Sequence, residues 1–424
     1  MADSRSCVIF GEPGSGKTAI YRELEALNIR PDGRPVRLIV HWRPAPLPPE
    51  EHSGLPWVSR LTREMLDACA SALVHHLYRF PEDYTGVSEW VQERIIWFIH
   101  RYTLGPPEVR WKPLAEGSEP GAPLIRQVLG APVPTVLYND APSEMVLAEL
   151  LSAVKGLGME GIWVMTDGLE GWASVAPEHL TESLKAFLST LSLFSPSGPV
   201  YKLFLPAEME PAVSRASGMA RRRIEGIRIR WDPSMLQGLV ERRLAFAFGK
   251  ETFSLDQLCS APTLRKWLEK VGGTSPREWL DQVAVLAEYY MANPQDTPIG
   301  EETWKRLRQE HPPRFYLDEE RRQVRIGGRL VNLEDLPAKA YDMLCYLYRH
   351  SGQVVTKAEL YFRVYLGKER IPRPGDDGYE APTQYAGLID TNLWRLRQAI
   401  EPDPREPVLL LTRRGHGVVL QVRW

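Results

Sequence analysis

Cysteine is scarce in this sequence: four occur in 424 residues, Cys7, Cys69, Cys259 and Cys345, far apart and without a C-x-x-C pair. That spacing excludes a zinc knuckle and a disulfide framework and fits a reducing cytosol, so a cytoplasmic protein is expected. No run of 18 or more apolar residues occurs, and the polar start, Met1 to Ser6, has no apolar signal core, so neither a membrane span nor secretion is expected. Neither sign of charge is in excess. The 52 Lys and Arg face 54 Asp and Glu, a net of −2, so any nucleic-acid surface has to be local. Internal repeats of about 20 to 50 residues are absent, which excludes a solenoid array. What remains is an ordinary globular mixture, 43% hydrophobic and 25% charged, in a chain too long for one core. Three domains are expected.

The apolar run Cys7-Val8-Ile9-Phe10 reads as a buried strand and feeds directly into Gly11-Glu12-Pro13-Gly14-Ser15-Gly16-Lys17-Thr18. This string satisfies G-x-x-x-x-G-K-[ST]. Gly11, Gly14 and Gly16 let the backbone curl so that successive N–H groups, including that of Ser15, face phosphate oxygens, and the helix predicted over Ala19 to Leu27 adds the positive end of its dipole. In this pattern Lys17 reaches the β and γ phosphates and Thr18 ligates Mg²⁺. Such a loop needs a carboxylate at the end of a neighbouring strand to orient the metal shell. Ile162-Trp163-Val164-Met165-Thr166-Asp167 supplies one in Asp167, and Glu170 is the nearest residue to polarise an attacking water.

Further strands are predicted at Val36 to Val40, Thr135 to Tyr138, Val200 to Leu205 and Ile227 to Trp231, with amphipathic helices around Leu61 to Tyr78 and Val87 to Tyr102. Alternating strands and helices predict an α/β fold, a P-loop parallel sheet with helices on both faces. His75-His76 reads as part of a helix face, since no second His or Cys stands at ligand spacing.

The segment Leu157 to Glu170 resembles the Walker B region of bacterial STAND ATPases, a signal-transduction branch near the AAA+ proteins. Those families close the motif with D-G-[LV]-D-E. Here Asp167, Gly168 and Leu169 are kept, Glu170 takes the first acidic position and Gly171 stands at the second, which implies ATP binding with slow hydrolysis. The run Ile227 to Pro233, followed by Leu236, Leu239, Arg242, Arg243 and Leu244, resembles the last STAND strand and the first helix of its lid. Gly272-Gly273-Thr274-Ser275-Pro276-Arg277 is similar to the sensor-2 element, which implies a guanidinium, Arg277, pairing with the γ-phosphate. Arg215 and Arg221-Arg222-Arg223 read as a solvated charge run.

From Pro312 onward 18 Lys and Arg stand against 15 Asp and Glu, so positive charge gathers modestly toward the C-terminus, and two prolines at Pro312-Pro313 mark the boundary. Short strands are predicted at Phe315 to Leu317, Gln323 to Ile326 and Arg329 to Leu333. A helix carrying Tyr341, Leu344, Cys345 and Tyr348 follows, then one capped by Thr356 that buries Leu360 and Val364. A third helix has Ile389, Leu393, Leu396 and Ile400 on one stripe, leaving Thr391, Trp394, Arg395 and Gln398 on the other face. The strands Val408 to Leu411 and Val418 to Val422 flank a basic tip, Thr412 to Gly417. This order resembles the winged-helix domain of OmpR and PhoB-type response regulators, which implies DNA binding by Trp394, Arg395, Arg397, Arg413 and Arg414. Ala399 stands where that family commonly has a phosphate-contacting Lys, and the loop Gly367 to Thr383 carries Asp376, Asp377 and Glu380, which leaves docking of a protein partner as the alternative.

The expected organisation is a P-loop core over 1–231, a helical lid over 232–311 and an α+β winged helix over 312–424. The expected function is a nucleotide-controlled switch using ATP and Mg²⁺ that binds DNA, in transcription regulation or defence signalling, with a nucleotide-dependent homo-oligomer as one of its states. The rivals are a DNA-remodelling AAA+ ATPase and a nucleotide-holding scaffold.

Overall fold

The computed structural model describes residues 5–44, 55–169, 177–196, 198–294 and 298–423. The chain forms two compact units, Met1–Ile229 and Arg230–Trp424. In the first, strands β1 (Ser6–Gly11), β2 (Leu38–His41), β3 (Ile162–Thr166), β4 (Val200–Pro206) and β5 (Ile224–Arg228) make one parallel sheet in the order β2-β3-β4-β1-β5. Side chains alternate between its faces, as the twofold period of a strand requires. Cys7, Ile9, Trp163, Met165 and Phe204 meet Tyr21 and Leu24 of helix α1 (Lys17–Leu27) on one face. Val8, Phe10, Val40, Val164 and Leu203 face the other, larger core. Helices α2 (Leu55–Arg79), α3 (Glu89–Tyr102), α4 (Ala122–Gly130), α5 (Ser143–Gly156) and α6 (Pro177–Ser189) supply the rest of that core. Helices therefore cover both faces, as expected for a buried parallel sheet.

Three expectations need correction. Thr135 to Tyr138 is not a strand but irregular chain. Pro132 and Pro134 just before it each remove a ladder donor, and although Val136 and Leu137 pack against the core, the stretch pairs with no strand among the described residues. Strand β2 starts two residues later than expected, because Val36 donates its N–H to Asn28 and the Asn28 side chain brackets the Arg37 backbone at 2.7 and 3.0 Å. Strand β5 lies three residues upstream of the predicted Ile227 to Trp231. After Ile229, whose N–H still reaches Phe10 O at 2.8 Å, the chain leaves the sheet, and Asp232 caps the next helix by accepting from Met235 N.

The second unit opens with helices α7 (Pro233–Ala247), α8 (Leu264–Gly272), α9 (Pro276–Ala292) and α10 (Glu301–Glu310). An antiparallel sheet of β6 (Phe315–Asp318), β7 (Gln323–Ile326) and β8 (Arg329–Asn332) follows, then α11 (Ala338–Arg349). Thr356 and Glu359 form a reciprocal cap before a short turn that runs on as a π-helix over Leu360–Tyr365, where Val364 is only half-buried. Helix α12 (Pro382–Ile400) and the hairpin of β9 (Leu410–Arg413) and β10 (Gly417–Leu420) complete the unit. A single hydrophobic core runs from Leu236 to Leu420, so the segments read as lid and winged helix share one interior. Polar links reinforce it: Gly328 N to Val271 O at 2.9 Å, Lys270 Nζ to Pro402 O at 3.0 Å, Arg314 to Asp281 at 2.6 Å, and Lys305 and Arg308 to Glu406.

The wing strands also differ from the expected ranges. Val408 and Leu409 were expected in a strand, but with Leu410 they donate their N–H groups to the buried Glu401 carboxylate at 2.6 to 3.2 Å. The first wing strand begins at Leu410, which pairs with Leu420. Burial raises the Glu401 pKa, and the three backbone donors oppose that rise by holding the anion.

Candidate functional site

Every backbone feature of the phosphate loop follows from its glycines. Gly14 and Gly16 have φ of 80° and 96°, in the left-handed region, and Gly16 caps α1 without a side-chain partner. At Gly11 a Cβ would stand 2.3 Å from Ser15 Oγ, so a larger residue at the strand's end would force the Ser15 side chain aside. Ser15 is buried inside the loop. Lys17 is buried too, and its Nζ donates to Gly11 O at 2.8 Å and Glu12 O at 3.1 Å, which holds the ammonium across the loop. The first turn of α1 contains no acidic residue.

Strand order brings the distant carboxylate in. One strand, β4, separates β1 from β3, and all three point their carboxyl ends the same way. Thr18 Oγ1 donates to Asp167 Oδ2 at 2.7 Å. The other oxygen, Asp167 Oδ1, is buried with no hydrogen-bond partner among the described residues. A hydroxyl and a carboxylate with an unsatisfied oxygen are the donor set of a hard divalent cation, so these residues fit Mg²⁺. Glu170 lies outside the described residues.

A cavity of about 290 Å³ opens beside this pair. Its walls are Thr18, Tyr21 and Arg22 of α1, His41 to Pro44 at the end of β2, and Met165 and Asp167 to Leu169. Tyr21 Oη is hydrogen-bonded to His41 Nδ1, and His41 Nε2 lies 3.4 Å from Glu25. Burial pushes the Tyr21 hydroxyl up to about 12, with Glu25 adding to the rise. Burial also lowers the His41 pKa, against the pull of Glu25. Sequence reading missed Tyr21, His41 and Arg43. Only the pairing of β2 with β3, which no local pattern announces, puts the end of β2 next to Asp167.

The structure places Arg277 in the second unit, exposed in the first turn of α9. The glycines before it, read as a nucleotide-facing element, pack on the turn between β7 and β8. A Cβ on Gly328 would stand 2.1 Å from Gly272 O, and one on Gly272 would stand 2.3 Å from Trp279 Cδ1. His76 is buried and bonded to Asp83 at 3.0 Å, and His75 bonds back to Ser71 O.

On α12 the Ile389, Leu393, Leu396 and Ile400 stripe is buried, while Trp394 is 60% exposed and Arg395 is exposed beside it. Arg397 is only half-buried and already engaged: its Nε donates to Leu410 O at 3.2 Å and its Nη2 to Thr412 Oγ1 at 2.7 Å, bracing the helix against the wing. Arg413 and Arg414 are exposed at the hairpin tip, where His416 N closes the turn on Arg413 O at 2.9 Å. Two of the loop acids are used internally, Glu380 by Tyr361 Oη at 2.6 Å and Asp376 by Arg373 N at 2.9 Å.

A stretch of 105 residues in the C-terminal region is 38% identical to sensory transduction protein RegX3 of Mycobacterium tuberculosis (strain ATCC 25618 / H37Rv) and to RegX3 of Mycobacterium leprae (strain TN). The match covers 25% of this chain and 39% and 45% of those proteins, so the chain spans about two fifths of the length of these curated relatives. The C-terminal region is thus similar to an OmpR/PhoB-type response regulator. No family model matches the chain. Two solved structures, Cdc6p from Pyrobaculum aerophilum and the ORC2 protein of Aeropyrum pernix, are similar over 98% of this chain and 83% of theirs, at 13% and 15% identity and TM-scores of 0.32 and 0.33. Among the described residues no helix is long and apolar enough to cross a membrane.

Proposed function

We propose that this chain is a STAND-like, nucleotide-controlled switch that holds Mg·ATP in the first unit and binds DNA through the winged helix of the second. The observation that carries the nucleotide half is the Thr18 to Asp167 contact beside the buried Lys17: residues 149 positions apart meet where a metal-bound triphosphate needs them. Lys17, Thr18 and Asp167 serve binding, and Glu170 and Arg277 are the residues proposed to act on turnover and on sensing the γ-phosphate. Magnesium supplies charge neutralisation at the phosphates, and this chain's residues orient it. The DNA half rests on the likeness to RegX3 and on the exposed face of Trp394, Arg395, Arg413 and Arg414. The deciding experiment is gel filtration of the full chain with ATP, ADP or no nucleotide, each with and without duplex DNA. A switch changes its assembly state or DNA retention with the nucleotide, and identical profiles in all six conditions contradict it.

Asp167→Asn keeps the size of the side chain but removes the charge that a divalent cation requires. Calorimetric titration with ATP in magnesium and in EDTA is expected to show a large magnesium effect for the native protein and a much smaller one for the variant. An unchanged magnesium effect argues against Asp167 as a ligand.

Arg413→Ala with Arg414→Ala is expected to weaken binding to duplexes of every sequence and to lower the salt slope by about one unit per lost phosphate contact. Arg395→Ala is expected instead to relax sequence preference, since it lies beside Trp394 on the face that a major groove receives. Fluorescence titration across salt concentrations separates the two effects. A full chain that binds no duplex at low salt, with or without ATP, removes DNA from the reading.

A further inference from the structure

We propose that Arg43 contacts the terminal phosphate from within the first unit, and contributes to the preference of this site for a nucleoside triphosphate over a diphosphate. The inference rests on the nucleotide reading of the phosphate loop and deepens it.

The backbone before Arg43 is clamped to the strand that carries the metal-side carboxylate. His41 pairs with Met165 in the β2 to β3 ladder, Trp42 N donates to Met165 O at 2.9 Å, and Thr166 Oγ1 donates to Trp42 O at 2.8 Å. Thr166 is the residue immediately before Asp167. Arg43 therefore leaves the sheet at a fixed place beside Asp167. Arg43 lines the cavity of about 290 Å³ that Thr18 and Asp167 also line, and it lines as well the neighbouring cavity of Glu64 and Asp67, so it stands between the metal-side residues and a second open space.

The charges around that space single Arg43 out. Arg22 is paired with Glu25 at 2.8 Å, and the His41 ring is held between Tyr21 and Glu25. Asp167 faces Thr18. Arg43 makes no ion pair and no hydrogen bond among the described residues, and it is exposed. A cation at a cavity wall that makes no close ion pair is suited to an anionic ligand, and a planar guanidinium takes two oxygens of one phosphate at once. The phosphate loop holds the phosphates that a diphosphate and a triphosphate share, with Lys17 reaching the β and γ phosphates. The group that only the triphosphate adds needs a further positive partner, and among the cations of this cavity wall Arg43 is the one without a protein partner.

The test is calorimetry on the full chain with Mg·ATP and with Mg·ADP, for the native protein, Arg43→Ala, Arg43→Lys and Lys17→Ala. Arg43→Ala is expected to lose about tenfold or more in ATP affinity while ADP affinity changes by less than about twofold. Arg43→Lys, which keeps the charge but loses the fork, is expected to recover part of the ATP affinity. Lys17→Ala is expected to weaken both nucleotides. Because Arg43 is exposed, an unchanged thermal melt is expected for its variants and checks the fold. If Arg43→Ala leaves both affinities as they were, or lowers both equally, the inference is overturned while the nucleotide reading stands. A native protein that binds neither nucleotide overturns both.

Discussion

Lys17→Ala is expected to weaken Mg·ATP binding by about 2 kcal/mol or more, roughly thirtyfold in affinity, in calorimetry of the otherwise intact protein. The lysine contributes a charge-assisted contact to phosphate, and it does more than that in this loop. Its ammonium sits on the carbonyl oxygens of Gly11 and Glu12 and so satisfies two acceptors of the loop. Removal leaves those two carbonyls without this donor. The substitution deletes a buried side chain, and the thermal melt of the variant shows whether the loop still folds. Unchanged ATP affinity in a folded variant removes the phosphate-loop assignment.

Gly328→Val is expected to destabilise the second unit by about 1 to 3 kcal/mol, a fall in melting temperature of roughly 2 to 12 °C for a unit of this size. The added Cβ meets Gly272 O at 2.1 Å and Ser275 Cβ at 2.7 Å. Gly272 O and Gly272 C are backbone atoms at the end of α8 and cannot swing away as a long side chain does. The Gly328 N–H bond to Val271 O is lost with the approach. Because the two halves of this unit share a core, hydrogen exchange is expected to rise in Leu264–Gly272 and in Arg329–Asn332 together. A rise confined to the strand, or no change in melting, contradicts a common interior.

The phosphate loop was legible because its chemistry is contained in consecutive residues. Gly11, Gly14 and Gly16 allow the curl, Lys17 and Thr18 open the helix, and nothing distant is needed to form it. Asp167 was legible for a related reason: an apolar run ending in an acid is a strand ending in a carboxylate, and the structure places it on Thr18. The face of α12 followed from helical periodicity, and its buried stripe and its exposed Trp394 and Arg395 are as expected. Arg397 was different. Periodicity placed it at the edge of that face, but what it touches depends on where Leu410 and Thr412 lie, and there it braces the wing.

What the chain determines by itself is therefore local: the curl of the loop, the period of each helix and strand, and the cap that Asp232 or Thr356 sets on the helix after it. Tertiary structure decided everything that depends on which elements are neighbours. Parallel strands pair across long crossovers with no signal in the residues between them, so only the folded sheet puts β2 beside β3 and brings His41 and Arg43 to the cavity of Thr18 and Asp167. Glycine pairs show that something approaches closely without showing what. At Gly272-Gly273 the neighbour is the Gly327-Gly328 turn, because both chains lack the Cβ atoms that keep two backbones apart. Val408 and Leu409 have strand composition, but the buried Glu401 carboxylate takes their N–H groups, and the wing ladder starts with Leu410 opposite Leu420.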